Sequence, residues 1–116
     1  MTAAPPVSVS ITGTGLFTPA ESISNAELAA SLAASVERWN AEHADEIAAG
    51  TLSARELPDV EFIERASGIG SRYVMEKSGV LDPDRMRPIL PLRSEEQLGI
   101  QAEMSLPAIE QALDQA

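Results

Sequence analysis

The apolar positions of this chain change period along its first half. Val7, Val9 and Ile11 alternate with Ser8, Ser10 and Thr12, the period of two expected of a strand with one buried face. Thr12-Gly13-Thr14-Gly15 ends that run. From Ser24 the spacing lengthens to three and four, and Leu28, Leu32, Val36, Trp39, His43 and Ile47 fall on one face of a predicted helix. Ala29, Ala30, Ala33 and Ala34 favour that helix and keep its surface thin enough for close packing. Its start is a capping box, Ser24-Asn25-Ala26-Glu27, in which Ser24 accepts from the amide of Glu27 while Glu27 reaches back. Gly50 is the expected stop.

Thr51 to Leu57 reads as a connector, and Pro58 suits the first turn of a short second helix. That helix carries Val60 and Ile63 on one face and ends at Gly68, which enters the left-handed region at no steric cost. A β-leaning run ending Arg72-Tyr73-Val74 follows, so the chain turns a tight corner there. Ser78-Gly79 and Asp82-Pro83-Asp84 mark turns. Ser94-Glu95-Glu96-Gln97 is a second capping box, opening a third helix with the stripe Leu98, Ala102, Ser105, Ile109 and Leu113. Pro107 falls inside it and predicts a kink near Glu103 at a cost of roughly 3 kcal/mol. Residues 1–6, with two prolines and small side chains, read as a loose arm.

Composition narrows the function classes. With 116 residues and 44% hydrophobic positions, the chain suits one small domain with a core. Aromatics make up only 3%, so small aliphatics do most of the packing. The net charge of −10 argues against a nucleic-acid partner, because binding a phosphate backbone depends on concentrated Lys and Arg. With no Cys and one His, disulfides and thiolate zinc sites are excluded, and a metal site would need carboxylates alone. No apolar run approaches the ~18 residues of a membrane span, and the start lacks the basic and apolar regions of a secretory signal. Cytoplasm is the default compartment.

Few residues carry candidate chemistry. Gly13-x-Gly15 after a strand hints at a dinucleotide fingerprint, but the third Gly position is Thr18 and Pro19 follows. These glycines are better explained by close passage of a neighbouring backbone. Trp39 reads as a packing anchor, and His43 as an edge-of-core histidine with one nitrogen bonded. Arg85, Arg87 and Arg93 form the one locally basic stretch, within a Pro-rich loop. Either a polyanion docks there or the arginines pair with this protein's own carboxylates.

Two motifs carry a family resemblance. Ile11-Thr12-Gly13-Thr14-Gly15-Leu16-Phe17-Thr18-Pro19 and Phe62-Ile63-Glu64-Arg65-Ala66-Ser67-Gly68-Ile69-Gly70-Ser71-Arg72, with Ser24-Asn25-Ala26-Glu27-Leu28 between them, resemble the amino-terminal part of β-ketoacyl-acyl-carrier-protein synthase III. Two longer stretches, 41–57 and 75–92, look like the insertions of the long bacterial form. The resemblance implies an α/β chain, the amino-terminal part of a thiolase-like fold with an inserted helical cap, in a homodimer. It implies a decarboxylative condensation in fatty acid biosynthesis: an acyl group moves from coenzyme A to a Cys and is then attacked by malonyl carrier protein. That family's Cys, His and Asn lie downstream of the matched part, so this chain is expected to supply no catalytic residue. Coenzyme A thioester would be a substrate rather than a bound cofactor, and the partners would be the remainder of the enzyme and an acyl carrier protein.

The resemblance also names a coenzyme edge. The family's adenine-stacking aromatic falls at Phe62, and its nucleotide-holding Arg four residues on falls at Ala66. Phe62 would then either stack on the nucleotide or fill a plain core role, the charge would come from Arg65, from another element, or not at all, and Arg72 matches the Arg after Gly-Ile, as a structural bond or a ligand contact. One strand and a possible second leave a sheet too small to satisfy its own backbone. The expectation is therefore that the 116 residues are part of a larger body. The alternative is a complete, small, acidic interaction domain without catalysis. A carrier protein is a weaker third reading, since no Asp-Ser-Leu attachment site is present.

Overall fold

The computed structural model describes residues 3–116; Met1 and Thr2 of the expected loose arm lie outside the described residues. The chain divides into two compact units: Pro19–Pro91, and Met1–Thr18 together with Leu92–Ala116. Helix and a small sheet occur together, so the chain is α/β in composition.

The unit Pro19–Pro91 is built on a two-stranded antiparallel sheet. β1 (Glu21–Ser24) pairs with β2 (Ser71–Val74) in the register Glu21↔Val74, Ser22↔Tyr73, Ile23↔Arg72 and Ser24↔Ser71. β2 is the run predicted after Gly68. β1 is not the strand read from alternation: Val7–Thr12 forms no strand, and Val7, Val9 and Ile11 are exposed. A strand needs a ladder partner for its amides and carbonyls, and period-two patterning alone does not provide one. Glu21–Ser24 has weaker β-formers but lies against β2, and Ile23 becomes fully buried.

α1 (Asn25–Glu42) starts where its capping box predicts. Ser24 Oγ accepts from the Glu27 amide at 3.1 Å, and Glu27 accepts from the Ser24 amide at 2.9 Å. Its buried positions are Asn25, Ala29, Ser31 and Val36, whereas Leu32 of the predicted stripe is exposed. Small residues thus meet the neighbouring elements, and Ser31 donates to the Leu81 carbonyl at 2.6 Å, fixing the end of α4 (Ser78–Leu81). The predicted single helix breaks at His43 and resumes as α2 (Ala44–Ala48). Gly50 then takes φ 75°, and the Thr51 amide reaches back to the Glu46 carbonyl at 3.1 Å, the closure of a left-handed helix end.

α3 (Val60–Ser67) is capped by Asp59, which accepts from the Phe62 amide at 3.1 Å; Pro58 therefore precedes the cap rather than sitting in the first turn. Gly68 ends the helix at φ 69°, as the sequence predicts. After β2, Glu76 ties down the segment from 75 to 89 by accepting from the Ser78 hydroxyl, from the Gly79 amide and from the Ile89 amide at 2.6 Å. Gly79 is buried, and a Cβ there would meet the Arg87 carbonyl oxygen at 2.6 Å, so only a glycine fits the crossing. Met86 holds φ 51°, uncommon for a residue with a side chain, while its sulfur lies 3.2 Å from the Ser31 hydroxyl oxygen.

In the second unit, α5 spans Ile100–Gln115 with Gly99 as its N-cap. The box at Ser94 closes an isolated turn instead of opening this helix: Gln97 accepts from the Ser94 amide at 2.9 Å and its own amide donates to Ser94 at 3.1 Å. Extended backbone at Gly99 separates that turn from α5. Residues 13–16 lie on α5. A Cβ on Gly13 or Gly15 would run into the carbonyls of Ala112 and Ala108, so the reading of these glycines as a close backbone approach holds, with a helix as the neighbour. Gln115 and Gln111 accept from the Thr14 and Leu16 amides at 3.0 and 2.7 Å. Two side-chain amides thereby take the place of a strand partner.

Candidate functional site

The helix-to-strand corner from Val60 to Val74 is assembled by short-range chemistry. Asp59 starts α3, and Gly68 stops it with its amide on the Glu64 carbonyl at 2.7 Å. Ser67 stitches the exit: its hydroxyl donates to the Ile63 carbonyl at 2.6 Å and accepts from the Ile69 amide at 3.1 Å. The corner is then clamped to α1 by Asn25. Its side-chain amide donates to the Ile69 carbonyl at 2.6 Å, its backbone amide donates to Gly70 at 3.1 Å, and its Oδ1 accepts from Arg72 at 3.1 Å. Asn25 is only 4% exposed. A buried side chain with donor and acceptor both used fixes the corner more firmly than apolar contact would, because breaking either bond strands a polar atom.

This clamp sorts the three candidate binding residues. Phe62 and Arg65, three apart on α3, share one helix face, and both are exposed. Arg72 is half-buried and donates to Asn25, so it supports the corner. Arg65 lines a shallow depression of ≈ 380 Å³ with Glu61 and Glu64 and lies 3.9 Å from the Glu61 carboxylate. An exposed pair of this kind contributes about 0.3–0.5 kcal/mol, little enough for Arg65 to exchange its carboxylate for another anion. Sequence reasoning missed Asn25, which it took only as part of the capping box. Asn25 is the first residue of α1, and its bonds to residues 69–72 leave no mark in the local sequence pattern.

A carboxylate at the start of α1 braces the same corner. Lys77 bonds to Glu27 at 2.6 Å, and with the Ser24 cap it holds the Glu27 pKa down at about 2. Glu76 is likewise held below the usual range, first by the Ser78 hydroxyl and then by the Ile89 amide.

The basic stretch resolves into separate parts. Arg85 turns back onto the Arg87 carbonyl at 3.2 Å, within the unit Pro19–Pro91. Arg93 belongs to the other unit, where it pairs with Glu103 and donates to the Leu98 carbonyl at 2.6 Å. Of the two readings of these arginines, self-pairing describes Arg93. At the end of α1, His43 Nδ1 lies 2.8 Å from the Trp39 carbonyl and its ring stacks on Trp39. His43 therefore has one nitrogen bonded, as the sequence suggests. Among the described residues no three His, Cys, Asp or Glu side chains gather as a metal site, and no helix is long and apolar enough to cross a membrane.

No family model matches the sequence. The chain is 48% identical over 81 residues to the β-ketodecanoyl-[acyl-carrier-protein] synthase of Pseudomonas aeruginosa. The match covers 70% of this chain and 23% of that protein, so the chain spans about a quarter of the relative's length. The resemblance carried by the two glycine motifs and the Ser-Asn-x-Glu-Leu segment is thereby borne out.

Proposed function

We propose, from the premise that this chain is a relative of the β-ketoacyl-acyl-carrier-protein synthases, that it forms the amino-terminal part of a condensing enzyme of fatty acid biosynthesis, of the long synthase III type. In this reading a thiolase-like homodimer in the cytoplasm joins an acyl group from coenzyme A to malonyl carrier protein with loss of carbon dioxide. The described part supplies the coenzyme entrance and a cap of short helices over the acyl tunnel. The reacting Cys, His and Asn come from outside it, since this chain has no Cys.

The observation that carries the coenzyme entrance is the corner at α3. Phe62 presents an exposed ring on α3, the corner after that helix is held by Asn25 and Arg72, and Arg65 lies three residues on from the ring. An exposed aromatic on a fixed support suits stacking on a purine, and a weakly paired Arg one turn away suits a phosphate. Titrating the chain with coenzyme A by calorimetry tests this. Saturable binding that weakens on Phe62→Ala by about 1–3 kcal/mol, the usual loss for a stacked base, supports the assignment. Equal binding by the variant, or none by the parent chain, refutes it. Acetyl label from acetyl coenzyme A should remain off the chain in either case.

A further inference from the structure

The connector after α2 is fastened to the end of α1 in a way that helix termination does not require. Asn40 holds the backbone of Arg55 from both sides: its side-chain amide donates to the Arg55 carbonyl at 3.0 Å, and its Oδ1 accepts from the Arg55 amide at 2.8 Å. Thr51 adds a hydroxyl bond to the Glu46 carbonyl at 3.0 Å. The result sets the Arg55 guanidinium 3.9 Å over the Trp39 ring, whose centroid in turn lies 4.2 Å from that of His43, at 22° between planes. A guanidinium over an indole is attracted by the ring quadrupole and keeps its N–H groups, which lie in its own plane, available at the edge.

The other cations show what is unusual about this one. Arg38, Arg65, Lys77 and Arg93 each pair with a carboxylate, Arg72 donates to Asn25, and Arg85 donates to carbonyls of its own loop. Among the described residues the Arg55 guanidinium has neither a carboxylate within 4.0 Å nor a hydrogen-bond acceptor, although the chain carries 18 acidic residues against 8 basic ones. Among the described residues Arg87 shares that condition but stacks on no ring, and Arg55 alone is both fixed in place and uncommitted.

We propose that the Arg55–Trp39–His43 stack is an oxyanion-binding site, taking a small ligand that presents two oxygens in one plane, a carboxylate or a phosphate, to the edge of the Arg55 guanidinium. Ordering a long arginine ordinarily consumes much of what its hydrogen bonds return; here Asn40 and Trp39 have already ordered it. The imidazole and the guanidinium both lie against the indole. Because His43 Nδ1 faces a carbonyl, that nitrogen carries the proton in the neutral ring. This site is independent of the coenzyme edge on α3.

Trp39 is the only tryptophan of the chain, so its emission reports on this stack alone. The test titrates the full chain at low ionic strength with inorganic phosphate in one arm and succinate in the other, against sodium chloride at matched ionic strength. A saturable change in Trp39 emission with either oxyanion, absent with chloride and weakened about tenfold or more in Arg55→Lys, supports the site. The two arms show which oxyanion is preferred. Arg55→Lys keeps the charge but not the fork, and an unchanged circular dichroism melt establishes that it is folded. An Asn40→Ala chain, with the stack released, should bind several-fold more weakly than the parent. No saturable change in either arm, or equal responses from the parent and Arg55→Lys, overturns the proposal.

Discussion

The two units of the molecule are held together by different chemistry. In Pro19–Pro91, Ile23, Ala29 and Val36 are buried and two polar side chains, Asn25 and Ser31, are buried with their bonds made. In the other unit no apolar side chain is buried among the described residues; glycine contacts and the side chains of Gln111 and Gln115 hold residues 13–16 to α5. The better strand-former in sequence, Val7–Ile11, belongs to the second unit and forms no ladder. The poorer one, Glu21–Ser24, belongs to the first and does. Pairing and burial decide strand formation, and propensity only adjusts it.

The contrast is broken most directly at Ile23, the fully buried residue of β1. Ile23→Ala should cost about 2–5 kcal/mol, and in a unit with so few buried apolar groups that is enough to melt the sheet, seen as loss of β1–β2 amide protection. Asn25→Ala comes next, at about 1–3 kcal/mol, because the Ile69 carbonyl and the Arg72 guanidinium lose their partner. Its mark is faster amide exchange confined to Ile69–Arg72 while the far end of α1 is unaffected. A uniform loss along α1 would show that Asn25 acts as a helix residue and not as a clamp.

On the other side, Gly15→Ala places a methyl into the Ala108 carbonyl and should cost about 1–3 kcal/mol. The expected readout is release of the Leu16 amide from Gln111, with β1 and β2 unchanged. The smallest effect is one of pH. Glu27 is held near pKa 2, below its ordinary 4.5, so its ion pair and cap stabilise the start of α1 fully above about pH 4.5 and are lost as pH falls through 2. Glu27→Gln should flatten that acid limb in a circular dichroism titration, while the parent chain keeps it.

Much of the Pro19–Pro91 unit was legible from sequence because its signals are local. Ser24 and Glu27 cap each other across three residues, Gly50 and Gly68 need positive φ, and Asp82-Pro83-Asp84 turns on its own side chain. The errors fall where a distant partner decides. Val7–Ile11 lacked a ladder partner, the Ser94 box was cut off by extended Gly99, and the α1 stripe was shifted by the contact of Ser31 with Leu81. At the corner, Phe62 and Arg65 could be placed on one face from their spacing, but the turn of Arg72 toward Asn25 joins residues 47 apart and left no mark in the local pattern.

Amide exchange of the chain with and without coenzyme A tests the central claim, that the clamped α3–β2 corner is the coenzyme edge. Slower exchange on adding coenzyme A across Val60–Val74, with Val7–Leu16 unchanged, is the predicted result. Unchanged exchange in α3, or an equal effect on both units, would contradict it.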